Sequence, residues 1–222
     1  MTAARPPRRT QESRSSETRA RAVETAITLL YTRGYAATNI LSVASEAGLS
    51  RGALQHQFPT KVDLMLHVVR TVYDQESHLY SEELGKIADP RERMLAFPEV
   101  AWNLLSRPSG VAVLEILQGS RSDPELADRL RPLQTEIERA SFALVTSLAG
   151  EAGMDAGASG VRLVVWAIRG LSIAQLLVED PAEIRKSVRL LRRLLSIALD
   201  REQEAGTALT ASTFRVVGKL KR

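Results

Sequence analysis

Apolar side chains recur every three to four residues along almost the whole chain, and no stretch shows the two-residue alternation of a strand bounded by hairpin turns. The pattern predicts an all-α protein. Val23, Ala26, Ile27 and Leu30 fall at i, i+3, i+4 and i+7 of a first helix that starts near Glu17 and stops at Gly34. Thr38 is placed to cap a second helix with Ile40, Val43, Ala44 and Ala47 inward, and Gly48 ends it. Ser50 caps a short third helix, with Leu49 and Leu54 spaced as a hydrophobic staple. Thr60 and Asp63 open a longer helix whose apolar side carries Val62, Met65, Leu66, Val69, Val72 and Tyr73.

Three later helix starts share one device. Asp89-Pro90, Asp123-Pro124 and Asp180-Pro181 each place a capping carboxylate before a proline at the first helical position, where the missing N–H costs nothing. The predicted helices span residues 90–106, 110–120, 124–149, 158–178 and 181–200. Residues 150–160 hold four glycines but lack the Lys-Ser/Thr of a phosphate loop, so they read as a linker.

Charge changes the picture at one end. The chain has 222 residues and a formal net charge of +4, yet residues 1–70 hold ten Lys/Arg against five Asp/Glu. A basic front joined to a near-neutral remainder suggests that the front meets a polyanion. Residues 1–16, with Arg5, Arg8, Arg9 and Arg14 and almost no large apolar group, read as a mobile basic arm. The absence of cysteine excludes disulfides, thiolate metal sites and a cysteine nucleophile. His67 and His78 share a helix face but stand about 16 Å apart at 1.5 Å per residue, too far for one ion, so neither metal nor cofactor is expected. The most apolar stretch, 161–178, contains Arg162 and Arg169 and reads as a core helix rather than a membrane span. The opening segment has no apolar core of a secretory signal, and a cytoplasmic protein is expected. No nucleophile, base and acid come together in the pattern, so no enzyme is expected.

The second helix, glycine turn and short third helix have the dimensions of a helix-turn-helix, whose second member lies in the DNA major groove. Small Ala44 and Ala47 let the two helices cross closely, and Leu54 with Phe58 anchors the third. The segment then resembles the TetR-type transcriptional regulators: Gly34-Tyr35, Thr38, Val43-Ala44, Ala47-Gly48-Leu49-Ser50, Gly52, Leu54, Phe58, Lys61 and Leu64 match that family's pattern in type and spacing. Two positions depart from it, Gln55 where tyrosine is usual and Gln57 where histidine is usual.

The resemblance implies that the start of the third helix touches base edges while the starts of the second and fourth grip phosphates. With Leu54 inward, a 100° step per residue turns Gly52 and His56 outward, flanked by Ala53 and Gln55. Arg51 reaches from the first turn, beside the capping Ser50. Arginine pairs with guanine and glutamine with adenine. Thr38, Asn39 and Lys61 are the expected phosphate contacts.

The resemblance also implies a larger helical ligand-binding and dimerisation domain over residues 67–203, after a DNA-binding domain over 17–66 and before a tail over 204–222. Phe97, Trp102, Leu105, Leu117, Gln118, Phe142 and Trp166 are the candidate ligand contacts, aromatic walls with a polar group. Glu115 and Arg162 read either as groups orienting a charged ligand or as surface charges. Helix 158–178 is apolar nearly all round and needs cover on two sides, from an intrachain core or from a second copy. The resemblance favours the second copy, with Val165, Gly170, Ile173, Ile184, Val188, Leu191 and Leu195 in the dimer interface. Arg169 stands where many relatives carry an acidic residue. The expected protein is a homodimeric repressor that binds a palindromic double-stranded DNA operator and is released by a small-molecule inducer, with no membrane partner. The competing expectation is a ligand-independent or architectural DNA-binding regulator whose pocket is filled by side chains.

Overall fold

The computed structural model describes the backbone of residues 11–149 and 157–219, and the side chains of 15–147 and 159–201. Its element order is α1 (Gln11–Ala37), α2 (Ile40–Glu46), α3 (Arg51–Gln57), α4 (Lys61–Gly85), α5 (Pro90–Leu105), α6 (Pro108–Gly119), α7 (Pro124–Ala149), α8 (Gly157–Ala174) and α9 (Pro181–Lys219). The protein is all-α, and among the described residues there is no strand. Among the described residues no helix is long and apolar enough to cross a membrane. The basic arm expected over 1–16 lies partly outside the described residues, but 11–16 already belong to α1. At the other end α9 continues to Lys219 through the stretch expected as a tail, and most of the expected linker lies outside the described residues.

The capping chemistry explains where the elements start. Thr60 and Asp63 form a reciprocal box, the Asp63 N–H donating to Thr60 Oγ1 at 3.1 Å and the Thr60 N–H to Asp63 Oδ2 at 2.9 Å. Asp89 accepts from the Glu92 N–H at 2.7 Å, Asp123 from Leu126 at 3.0 Å and Asp180 from Ala182 at 2.8 Å, so all three Asp-Pro starts are used. The cap of α2 is Asn39 rather than the expected Thr38, because Thr38 is drawn wholly into the core. Gly34 breaks the regular helix with φ +75°, and Gly48 turns the chain after α2 with φ +62°. Both backbone conformations favour glycine.

The chain divides into two compact units, Met1–Tyr73 with Pro108–Leu133 and Asp74–Arg107 with Gln134–Arg222. In the first, α1, α2 and α3 pack mutually and α1 also packs along α6. Its buried groups include Ala22, Ala26 and Leu30 of α1, Val43 and Ala44 of α2, Leu54 of α3, Leu64 and Met65 of α4, and Val111 to Leu114 with Ile116 of α6. The helix 110–120 was expected in the larger domain, but its buried face serves this head. In the second unit α5 packs against α8 and α9. One cluster there joins Leu84, Met94, Leu95, Phe97, Val145, Val161 and Leu199, and another joins Ala101, Leu105, Ile168 and Val188.

Candidate nucleic-acid interface

Helix α3 is short and held from one side. Leu54 has no exposed surface and Phe58, at its C-terminal cap, is nearly as buried, with its ring 5.3 Å from that of His67. Ser50 closes the other end by accepting the Ala53 N–H at 3.1 Å. With those anchors, Ser50, Arg51, Gly52, Ala53, Gln55 and His56 are all left exposed. Gly52 has open space around its Cβ position, so nothing inside the protein requires a glycine there. A glycine in a helix costs about 1 kcal/mol against alanine. Room for close approach from outside is what remains to explain it.

The exposed side chains are partly pre-arranged. The Arg51 Nε donates to Gln55 Oε1 at 3.3 Å, aligning two of the groups able to read base edges. Gln57 accepts from Ser15 Oγ at 3.1 Å and Arg19 at 3.0 Å, while its amide nitrogen stands 3.4 Å from His56 Nδ1. Thus α1 reaches the recognition helix through Gln57, one of the two positions that depart from the expected pattern. This connection was illegible in the sequence, since Ser15 lies in the segment read as an arm and no periodicity pairs residues 42 apart. Arg21 adds a bond to the Ala47 carbonyl at the end of α2, and Arg33 pairs with Glu46 at 2.7 Å.

Of the three expected phosphate contacts, two are engaged within the chain. Thr38 is fully buried and its hydroxyl donates to the Gly34 carbonyl at 2.9 Å, bracing the Gly34 turn instead of facing a ligand. Lys61 is half-buried: its ammonium donates to the Tyr35 carbonyl at 2.7 Å and sits 3.7 Å from the Tyr35 ring centre. Burial lowers its pKa, with the Asp123 charge acting against that. Asn39 stays exposed, its side-chain oxygen accepting from Leu41 and Ser42 N–H groups at 2.9 and 3.0 Å while Ser42 Oγ accepts the Asn39 N–H at 2.9 Å. The N-terminus of α2 is thereby tightly formed.

Tyr35, part of the motif but given no role by sequence reasoning, ties the head to α6 and α7. Its hydroxyl donates to Asp123 Oδ2 at 2.7 Å and its N–H to Glu115 Oε2 at 3.2 Å. Burial, then the bond to Asp123, raises the phenol's pKa, and the same bond leads the causes that lower that of Asp123. A Cβ on Gly119 would run into the ring, so only glycine lets the ring lie there. Arg129 pairs with Asp63 at 2.7 Å alongside. Glu115 is therefore a bond acceptor within the head.

The family described as bacterial regulatory proteins, tetR family, matches residues 22–68, the segment that builds this head. The HTH-type transcriptional regulator CymR of Pseudomonas putida is 27% identical over 201 residues, covering 88% of this chain and 96% of its own length. The HTH-type transcriptional regulator TtgR, also of Pseudomonas putida, is 36% identical over 72 residues, 32% of this chain and 34% of its own. Among solved structures, a regulator from Saccharomonospora viridis in complex with choline shares 26% identity and a TM-score of 0.59, covering 83% of this chain and 96% of that one. FadR of Bacillus halodurans, at 12% identity, shares the fold with a TM-score of 0.64, covering 85% and 96%. Residues 22–68 thus carry the helix-turn-helix head of the TetR type, and the matched relatives are HTH-type transcriptional regulators. The chain is a DNA-binding transcriptional regulator.

The expected ligand contacts are divided between the two compact units. Phe97 is buried and Phe142 packs against its cluster; Leu105 and half-buried Trp102 belong to the neighbouring cluster. Leu117 and exposed Gln118 belong to the head unit, on a helix whose inner face packs on α1, and Trp166 is exposed on α8. Arg162 pairs with Glu138 at 3.0 Å on the surface. The residues of the expected dimer seam divide between inner and outer positions. Ile184 and Val188 are buried within the chain, and Leu191 and Leu195 pack against the same two clusters. The outer face of α9 carries Leu190, Leu194 and Ile197 instead, spaced at i, i+4 and i+7. On α8, Leu163, Trp166 and Gly170 are exposed, while Val165 and Ile173 are half-buried.

Proposed function

We propose that this regulator is a homodimeric repressor of a palindromic operator, released when a small molecule binds its larger helical unit. The observation that carries the DNA reading is the exposed row Arg51, Gln55 and His56 on a helix anchored by Leu54 and Phe58. Asn39 at the start of α2 supplies a phosphate contact, and the domain boundaries are those of a head ending near residue 66 and a ligand-binding and dimerisation region beyond it.

The exposed apolar groups of α8 and α9 support the dimer. Leu163 is 70% exposed and Leu194 and Ile197 are each 54% exposed, a continuous cost in water that a second copy removes. Gly170 has no atom within 4 Å of its Cβ position, which leaves room for a partner helix. A two-fold axis then places two recognition helices in successive major grooves. Helix α4 starts in the head at Lys61 and ends at Gly85 in the second unit, so displacement of its far half is the proposed route of release. The choline complex of the Saccharomonospora viridis relative supports a ligand among these helices. The protein acts on DNA in the cytoplasm. Operator affinity measured with and without candidate inducers tests the switch, and identical affinities under saturating ligand reject it.

A further inference from the structure

Among the described residues of the second unit, Glu76 Oε1 and Glu99 Oε2 are buried without a hydrogen-bond partner, and of the two residues only Glu76 is itself buried. Glu76 projects from the middle of α4 and is only 8% exposed, yet its Oε1 has no hydrogen-bond partner. A buried carboxylate oxygen without a donor is costly and uncommon, and native structures retain such groups where something else completes them. The charges that act on it are Arg107, just beyond α5, and Arg169 of α8, and the Tyr80 phenol stands one turn along α4. Burial outweighs the attraction of both arginines and holds the Glu76 carboxyl up at about 7. Arg169 is half-buried and already engaged within the protein. In the ionised form of Glu76 the open Oε1 lacks a donor. Tyr80 packs on the cluster formed by Ala101, Leu105, Ile168 and Val188, with Trp102 against the same groups, so the surroundings suit an apolar or aromatic body.

We infer that Glu76 is the anchor of a binding site for a small organic ammonium ion, whose N–H donates to the open carboxylate oxygen while its hydrocarbon part packs beside Tyr80 and Trp102. This assigns a ligand class to the inducer site and rests on the inducible reading proposed above. A charged donor is favoured over a neutral hydroxyl because charge-assisted bonds are roughly twice as strong, and because a buried carboxylate ionises more readily beside a cation. An anionic ligand would instead need an unengaged guanidinium.

The full-length protein is titrated with benzylamine, benzyl alcohol and benzoate, following the fluorescence of its two tryptophans, Trp102 and Trp166, and the heat of binding. Benzylamine is expected to bind at least about tenfold more tightly than the other two, and E76Q to lose that advantage. Ionisation of a carboxyl near 7 makes benzylamine affinity rise about tenfold from about pH 6 to about pH 8. Calorimetry at about pH 6 in two buffers of different ionisation heat should show close to one proton released, a wild-type measurement independent of how E76Q folds. Tighter binding of benzoate, equal binding of benzyl alcohol, no binding of benzylamine, or no proton release each overturns the assignment. Operator affinity read in parallel separates the two ideas. Glu76-dependent amine binding that leaves operator affinity unchanged sinks the inducible switch and leaves the site standing; operator release by another ligand class does the reverse.

Discussion

Arg51 and Gln57 show how two neighbouring polar residues divide a task. Arg51 is exposed and joined to Gln55 of its own helix, so it is free to turn to a base edge. R51A should relax preference at one operator base pair, by about 1–3 kcal/mol, when single-base operator variants are compared. A uniform loss over all variants would mark it as a phosphate contact. Gln57 works from behind, between α1 and His56. Q57L should weaken operator binding by roughly fivefold, the worth of about one hydrogen bond, with an unchanged circular dichroism spectrum. Unchanged affinity would show that α1 does not position His56.

Among the elements, α4 and α6 carry the features that helical periodicity alone could not reveal. Gly119 ends α6 where the Tyr35 ring occupies the place of a Cβ, so G119A should destabilise the head by about 1–3 kcal/mol in urea unfolding. Y35F keeps the ring and loses only the bond to Asp123, and should cost about 1 kcal/mol. Helix α4 carries the buried charge of Glu76, raised from 4.5 to about 7 by burial. Between those values the folded chain holds a proton that the unfolded chain has released, so stability falls as pH rises through that window, by up to about 3 kcal/mol. E76Q, which cannot titrate, should flatten the difference between unfolding at about pH 5 and at about pH 8. A slope as steep as that of the parent protein would assign the effect elsewhere.

For the molecule as a whole, the decisive property is that α9 has two apolar faces. Ile184, Val188 and Leu199 face the chain's own core, while Leu190, Leu194 and Ile197 face outward. The double variant L194E/I197E should sediment as a monomer and bind a full palindrome with the weak affinity of a half-site. A dimer that survives both charges would place the interface on another surface. Intrachain packing should persist in the variant, because neither position contributes to the inner clusters.

The sequence by itself determined the helices and the head. Caps such as Asp89 and Ser50, the glycines at 34 and 48, and the spacing of Leu54 and Phe58 are local rules, satisfied within a few residues of where they are written. It also determined that Gly52 and His56 face away from Leu54 with Ala53 and Gln55 flanking, since helical geometry alone fixes that. Only tertiary packing decided that Thr38 and Lys61 turn inward, because their partners, the Gly34 and Tyr35 carbonyls, are bared by a turn whose course depends on the surrounding core. Packing also decided which apolar face of α9 meets α5, a choice between two stripes of similar hydrophobicity that depends on the surface they meet. The buried carboxylate of Glu76 belongs to the same class: its cost comes from neighbours that α5 and α8 bring from far along the chain.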